Sequence, residues 1–265
     1  MLKCRVCGQE LREFMDLGRQ PLANGFLRPE DVADEYFFHL VVGACQACTM
    51  VQLTEEVPRH LRYHSAYPYH TSGTVGMRTH FENDARLFLK TELTGPDPFF
   101  VEIGCNDGAL LRLLAESGVR HLGLEPAGAV ADMARAKGVR VRGDFFEEST
   151  AADVAAEDGP ADVIFGANTI CHVADVESLF AGVDALLKPD GVFVFEEPYV
   201  GSILDRTAFD QIYDEHFYLF SVRSVQAMAD RFGFTLVDVE RVPVHGGEIR
   251  YTVARRGGRA PRASV

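Results

Sequence analysis

The segment FFVEIGCNDGALLRLLAESGVRHLGLEP, residues 99–126, holds glycines and carboxylates at spacings that suit a nucleotide-bearing ligand. Gly104 and Gly108 allow a sharp turn and let a ligand approach bare backbone, where a Cβ would collide with it. Glu125 closes the next strand, where a carboxylate can accept hydrogen bonds from both ribose hydroxyls. A dinucleotide fingerprint would need glycines at 104, 106 and 109, but the chain has Gly104, Asn106 and Ala109. The pattern present is E-x-G-x-x-x-G, running from Glu102 to Gly108. A second group is two C-x-x-C pairs, Cys4 with Cys7 and Cys45 with Cys48. Each pair can form a knuckle placing two thiolates on one metal, and four thiolates close a tetrahedral zinc site with no open position for catalysis. A third group is Tyr213, Asp214, Glu215 and His216 in FDQIYDEHFYLFS. An imidazole with an ordinary pKa near 6.5, set beside carboxylates, suits proton transfer at working pH.

Each group needs an element to position it. From Phe99 the chain alternates apolar β-rich runs with helical stretches, which predicts an α/β fold with helices on both faces of a parallel sheet. The strands expected after the first two are VRVRGD, ADVIFGAN, VFVFEEP, TLVDVERV and EIRYTVAR, giving seven. ESLFAGVDALLK reads as an amphipathic helix stopped by Pro189-Asp190-Gly191, and a helix near Val222–Phe232 is capped by Ser221 and ended by Gly233. MRTHFENDARLFLK is a further helix, preceded by a Tyr- and His-rich stretch that by itself indicates packing. Upstream, a strand is expected over Tyr36–Val42 and another in MVQL. The 37 residues between Cys7 and Cys45 exceed ordinary ribbon spacing, so that loop must carry structure of its own. A redox role for the pairs would need a thioredoxin-like context that is absent. The expected organisation is a zinc-binding module over 1–70, a cofactor-binding domain over 71–255 and a tail over 256–265.

Ligands of an open α/β sheet sit beyond the carboxyl ends of its strands. This ranks Glu102, Gly104, Asn106 and Gly108 on the first turn, Glu125 for the ribose, Asp144 with Phe145 for the adenine amine and face, and Asn168 at the end of the fourth strand. An Asx residue at a strand end can equally be a turn cap, and the glycines can serve the turn alone. His172 stands near the expected mouth of the site. Oxygen and nitrogen acceptors need mainly positioning, whereas a carbon acceptor must first lose a proton, a task that suits His216. The alternative for His216 is packing among Phe217, Tyr218 and Phe220. The net charge of −13 argues against nucleic acid as the main partner. No apolar run approaches the ~20 residues of a membrane span and no secretory signal is present, so the expected location is the cytoplasm, where disulfides are not expected.

The E-x-G-x-x-x-G turn is similar to that of class I S-adenosylmethionine (SAM) methyltransferases, which implies their Rossmann-like seven-stranded sheet with SAM on it. More of the chain resembles a narrower group, the bacterial sugar C-methyltransferases acting on dTDP-linked 4-keto deoxysugars in antibiotic biosynthesis. The resemblance rests on the cysteine pairs, GRQPLANGF at 18–26, YHSAYPYH, VEIGCNDG, EEPYV at 196–200, YDEHFYLFS at 213–221 and PVHGGEIRYTV at 243–253. It implies a structural zinc on Cys4, Cys7, Cys45 and Cys48. It also implies a C-3 methyltransferase in which His216 removes the C-3 proton while Tyr213, Glu215, His172 and Tyr67 line the sugar site. Members of this group continue into a second α/β unit, so 256–265 reads as a tail or as the start of that unit. Two other readings remain: an O- or N-methyltransferase of a small metabolite, and a SAM- and zinc-binding fragment without turnover.

Overall fold

The computed structural model describes residues 2–63 and 67–265. Residues 64–66, within the YHSAYPYH stretch, lie outside the described residues. In chain order the elements are β1 (Leu11–Pro21), β2 (Phe37–Cys45), β3 (Val51–Leu53), α1 (Arg59–Arg62), α2 (Val75–Thr91), β4 (Phe99–Ile103), α3 (Leu111–Glu116), β5 (Arg120–Leu124), α4 (Gly128–Ala136) and β6 (Val141–Arg142). They continue with α5 (Glu148–Asp158), β7 (Ala161–Ala167), α6 (Val176–Leu186), β8 (Leu187–Pro198), α7 (Val200–Arg206), β9 (Tyr218–Leu219), α8 (Val222–Arg231), β10 (Phe234–Val242) and β11 (Glu248–Arg255).

The large sheet has seven strands in the order β10-β11-β8-β7-β4-β5-β6. Its strands bury both faces, as a sheet covered by helices must. Phe99, Val101 and Ile103 of β4 join one core cluster with Phe193 and Phe195, while Phe100 joins another with Val163, Phe165, Val192 and Val194. Helix α2 presents Phe81, Ala85 and Phe88 to that second cluster, the spacing of one helical face. Helix α6 starts on the Asp175 side chain, which accepts from the Ser178 N–H, and α8 on the Ser221–Ser224 capping box. The sheet departs from the all-parallel expectation at one edge, where β11 runs antiparallel to both β8 and β10. Only residues 243–247 join β10 to β11, too few for the crossover that a parallel pair requires. The arginine-rich tail folds back along this edge: Arg259 pairs with Glu92 at 2.8 Å, and the Arg262 N–H donates to the Val237 carbonyl at 2.8 Å.

The small sheet has the order β1-β2-β3-β9. Its first three strands are N-terminal, but β9 comes from beyond residue 200 and pairs antiparallel with β3 through Val51–Leu219 and Gln52–Tyr218. The N-terminal module is therefore completed by a strand lent from the larger domain. Apolar packing is continuous across the join, with Cys4, Val6 and Met50 in one cluster with Phe217, Tyr218 and Phe220. No helix among the described residues is long and apolar enough to cross a membrane.

Candidate functional site

The four N-terminal cysteines converge. Cys4 and Cys48 have their Sγ atoms 3.5 Å apart, Cys7 and Cys45 3.4 Å, and all four lie within 4.8 Å of one another. A zinc ion with about 2.3 Å bonds to four sulfurs would set them about 3.8 Å apart, so the cluster fits the metal. Tight turns make this possible: the Gly8 N–H donates to the Cys4 carbonyl at 2.8 Å, and the Thr49 N–H to the Cys45 carbonyl at 3.0 Å.

At the carboxyl ends of β4, β5 and β7 a cavity of about 850 Å3 opens, walled by Gly104, Asn106, Glu125, Asp144, Phe145 and Asn168. Gly104 has φ 69°, and a Cβ on it would meet Thr169 Oγ1 at 2.5 Å, so only glycine lets the β4 turn nest against the turn after β7. Gly108, with φ 75°, stands off the cavity and gives close approach to Ala134 and Val139 instead. Glu102 is also off the wall, a buried carboxyl held well above its usual pKa by burial and then by Glu125. Both Glu125 oxygens are fixed, Oε2 by the Asn106 N–H at 3.0 Å and Oε1 by the Ala127 N–H at 2.8 Å. Burial raises its pKa and those two N–H donors oppose the rise. Asp144 accepts from Arg142 Nε at 3.0 Å, and the Arg59 guanidinium lies 4.5 Å over the Phe145 ring. The turn, carboxylate and aromatic wall suit a nucleoside with a charged tail, as SAM is. Sequence reasoning missed the strap above them, where Asn106 Oδ1 accepts from the Thr71 N–H at 2.9 Å and its Nδ2 donates to the Tyr69 carbonyl at 3.1 Å.

A second part of the wall is formed by Tyr67, His172, Tyr63, Arg62 and His245, and it adjoins the first, because the Tyr63 ring lies 6.1 Å from Phe145 and 6.0 Å from His172. Tyr213, Glu215 and His216 stand directly behind that wall rather than on it. The Tyr67 hydroxyl donates to Glu215 Oε2 at 3.0 Å, and the His172 and His216 rings stack with centroids 5.4 Å apart. His216 Nδ1 lies 2.9 Å from the Gln211 carbonyl, which accepts only, so Nδ1 carries the proton and Nε2 keeps its lone pair. The Tyr213 hydroxyl lies 3.1 Å from that Nε2 and donates to it. Burial pushes the His216 pKa down to about 4, so the ring is a neutral proton acceptor. His172 is held in place by Glu197, whose Oε1 accepts from the N–H groups of Thr169, Ile170 and Cys171 at 3.1, 2.6 and 3.2 Å.

Other residues of this part gave no sequence signal strong enough to single them out. Asn24 Nδ2 donates to Glu215 Oε1 at 2.6 Å, and the Ala23 N–H donates to Asp214 Oδ1 at 2.9 Å. Asn24 lies in GRQPLANGF, one of the segments on which the family resemblance rests, with no role assigned to Asn24 itself. Arg5, Arg59 and Arg62 all reach the cavity. His245 sits in a left-handed conformation, φ 43°, with Nε2 buried and unpartnered among the described residues.

The seven-stranded sheet with its glycine turn and carboxylate defines a class I SAM methyltransferase. A methyltransferase domain family model matches residues 80–239, and a zinc binding domain model matches residues 4–63. The chain belongs to the methyltransferase domain family. Among curated relatives, the C-methyltransferase NovU of Streptomyces niveus is 33% identical over 250 residues, which is 93% of this chain and 59% of NovU. The chain thus spans about three fifths of that relative's length. Two solved structures share the fold. The PH0226 protein of Pyrococcus horikoshii OT3 has a TM-score of 0.54 and 17% identity over 75% of this chain and 99% of its own. The magnesium protoporphyrin IX methyltransferase of Synechocystis PCC 6803, solved with bound SAH, has a TM-score of 0.53 and 12% identity over 68% of this chain and 84% of its own.

Proposed function

We propose that this chain transfers a methyl group from SAM to a carbon of a dTDP-linked 4-keto deoxysugar, with C-3 beside the ketone as the acceptor. The observation that carries this reading is the tautomer-fixed imidazole of His216, its Nε2 lone pair unprotonated and its ring stacked on the wall residue His172. An oxygen or nitrogen acceptor needs little more than alignment, whereas a carbon must be deprotonated, and here a proton acceptor is built in. The C-methyltransferase relative, aligned over nearly the whole chain, supports the same acceptor type.

SAM, when bound, supplies an electrophilic methyl group. Gly104 leaves room for its methionine portion, Asn106 shapes the turn beside it, Glu125 accepts from the ribose hydroxyls, and Asp144 and Phe145 take the adenine amine and face. Glu102 and Gly108 support that turn from behind, and Asn168 closes the wall at the end of β7. At the other end, once the Tyr213 hydroxyl has swung off His216 Nε2 and the Tyr67–His172 wall has parted to admit the sugar, the C-3 hydrogen leaves as a proton to that nitrogen. Its bonding pair moves toward the ketone and leaves an enolate, whose carbon is the nucleophile. His172, a wall residue with Nε2 unpartnered among the described residues, is the group nearest to the growing negative charge that has no competing partner, while Tyr213 becomes a donor on leaving Nε2 and Tyr67 on leaving Glu215.

The test is incubation with SAM and a panel of dTDP-4-keto deoxysugars, with the new methyl located by NMR. In the wild type, C-3 hydrogen should exchange with solvent deuterium. His216→Asn should cut both exchange and transfer by about 10³-fold, within the range for a general base, with SAM affinity unchanged. A methyl found on oxygen or nitrogen, or full activity in the variant, would overturn the assignment.

A further inference from the structure

The N-terminal module makes more contacts with the acceptor end than a remote metal-stabilised appendage needs. Both of its cysteine knuckles bear on one short segment, Asp214–Leu219. From the first knuckle, the Arg5 N–H donates to Gln52 Oε1 at 3.1 Å, and the Arg5 guanidinium lies 4.9 Å over the Phe217 ring. The second knuckle runs straight into β3, its geometry fixed by the Cys45 N–H donating to the Met50 carbonyl at 2.9 Å. Strand β3 then pairs with β9, and the Leu53 N–H donates to the Phe217 carbonyl at 2.9 Å, one residue beyond His216. Beyond β1, Ala23 and Asn24 reach over to take Asp214 and Glu215.

Neither β3, of three residues, nor β9, of two, is long enough to persist unless something else holds it in place. On the large-domain side, Tyr218 is tied by its hydroxyl, which donates to the Ala174 carbonyl at 2.7 Å. The Val200 N–H adds a bond to the Phe220 carbonyl at 2.9 Å from the same side, and the knuckles and the Asn24 turn supply the restraints from the module. Glu215 is 2% exposed, and its two oxygens are satisfied by Asn24 from the module and Tyr67 from the cavity wall. Without the Asn24 amide, one oxygen of a buried carboxylate would lose its partner, and the segment would shift to recover one.

We propose that the metal-closed module is the clamp that sets the acceptor end of the site, with Asn24 as the positioning residue that orients the Glu215 carboxylate. This rests on the C-methyltransferase reading for the identity of the reaction, but the clamp itself is a mechanical relation between residues and can be read without substrate. Binding of the metal at Cys4, Cys7, Cys45 and Cys48 then governs the order of His216, which touches none of these residues.

The experiment is amide hydrogen exchange by mass spectrometry on the full chain, with zinc and after chelation, together with SAM affinity by calorimetry. Metal removal should speed exchange across 213–219 by tenfold or more, leave β4, β5 and β7 protected, and change SAM affinity by less than about threefold. Equal protection of 213–219 with and without metal would overturn the clamp. Should chelation unfold the whole chain, Asn24→Ala decides. It leaves the cysteines intact and is expected to speed exchange at 214–217 and to lower turnover about tenfold at unchanged SAM affinity. Asn24→Asp, which sets a second carboxylate against Glu215, should be worse than alanine. An Asn24→Ala protein with wild-type exchange at 214–217 would refute the positioning role. If no methyl reaches carbon in any variant, the reaction assignment fails while the exchange results still judge the clamp.

Discussion

The two ends of the cavity are built in opposite ways. The cofactor end comes chiefly from residues 104–168, with Arg59 and the Tyr69–Thr71 strap added from upstream: Glu125 is held by Asn106, 19 residues away, and by Ala127, two residues away. The acceptor end is gathered from the whole sequence. Glu215 takes one hydrogen bond from a residue 191 positions distant and another from one 148 positions distant. A site made of consecutive strand ends is fixed by the sheet itself and changes little when other parts of the chain loosen. A site made of distant segments is only as ordered as the elements that carry them, which here include a metal-dependent module. The same contrast separates the roles, since the cofactor is common to the class while the acceptor is particular.

The largest effect that would sharpen this contrast lies at Glu197. Its carboxylate is wholly buried and holds three backbone N–H groups in the turn that carries His172. Glu197→Ala strands those donors, and the expected loss of stability is about 3 kcal/mol, with the acceptor end disordered first. Urea titration measures the loss, and a change under about 0.5 kcal/mol would mean the turn holds itself. Glu125→Ala is the converse. Removing an acceptor of two charge-assisted hydrogen bonds should weaken SAM by roughly 30- to 100-fold, about 2 to 3 kcal/mol. Amide protection of 213–219 should stay as it was. Calorimetry and hydrogen exchange on the same sample check both halves, and a loss of protection there would show the two ends to be coupled.

How far each end could be read in advance follows from the same difference. Strands β4, β5, β7 and β8 announce themselves as apolar β-rich runs, and Gly104 and Glu125 fall at fixed offsets along one βαβ unit, so spacing alone located them. Ser221 and Gly233 bounded α8 because capping is local chemistry. Strand β1 escaped notice because most of its residues face solvent and show no alternation, so only its pairing with β2 makes it a strand. Strand β9 has two residues and exists through pairing with β3, a relation that no local window contains. Asn24 and Arg62 are single polar residues whose meaning depends on what lies opposite them. The cysteines were the exception among distant residues, because their repeated two-residue gap encodes the metal geometry.

The smallest expected effect concerns pH, and it tests whether burial at the acceptor end does what the geometry implies. An exposed histidine with a pKa near 6.5 would be about nine-tenths protonated at pH 5.5 and so disabled as a base. His216, pushed down to about 4 by burial, keeps its lone pair there. The rate of C-3 hydrogen exchange, measured with saturating sugar nucleotide, should therefore change by less than about 20% between pH 7.5 and 5.5. Stability bears the consequence instead. The unfolded chain takes up this proton near 6.5 and the folded chain only near 4, so between those values the unfolded state binds more protons and stability falls as pH is lowered. Burial lowers His172 and His245 as well, and they act in the same direction. Glu197, raised to about 7 by burial, opposes them, since its unfolded form loses its proton first as pH rises from about 4.5, and the buried Glu102, Glu125, Glu215 and Glu248, also raised by burial, act with it. Glu197→Gln removes its share of that opposing contribution while keeping an acceptor for the three N–H groups, so the variant should lose stability relative to wild type as the solution is acidified from pH 7 to 4.5. A steep acidic limb in the exchange rate centred near 6.5 would instead place the working imidazole in water, on the open side of the wall.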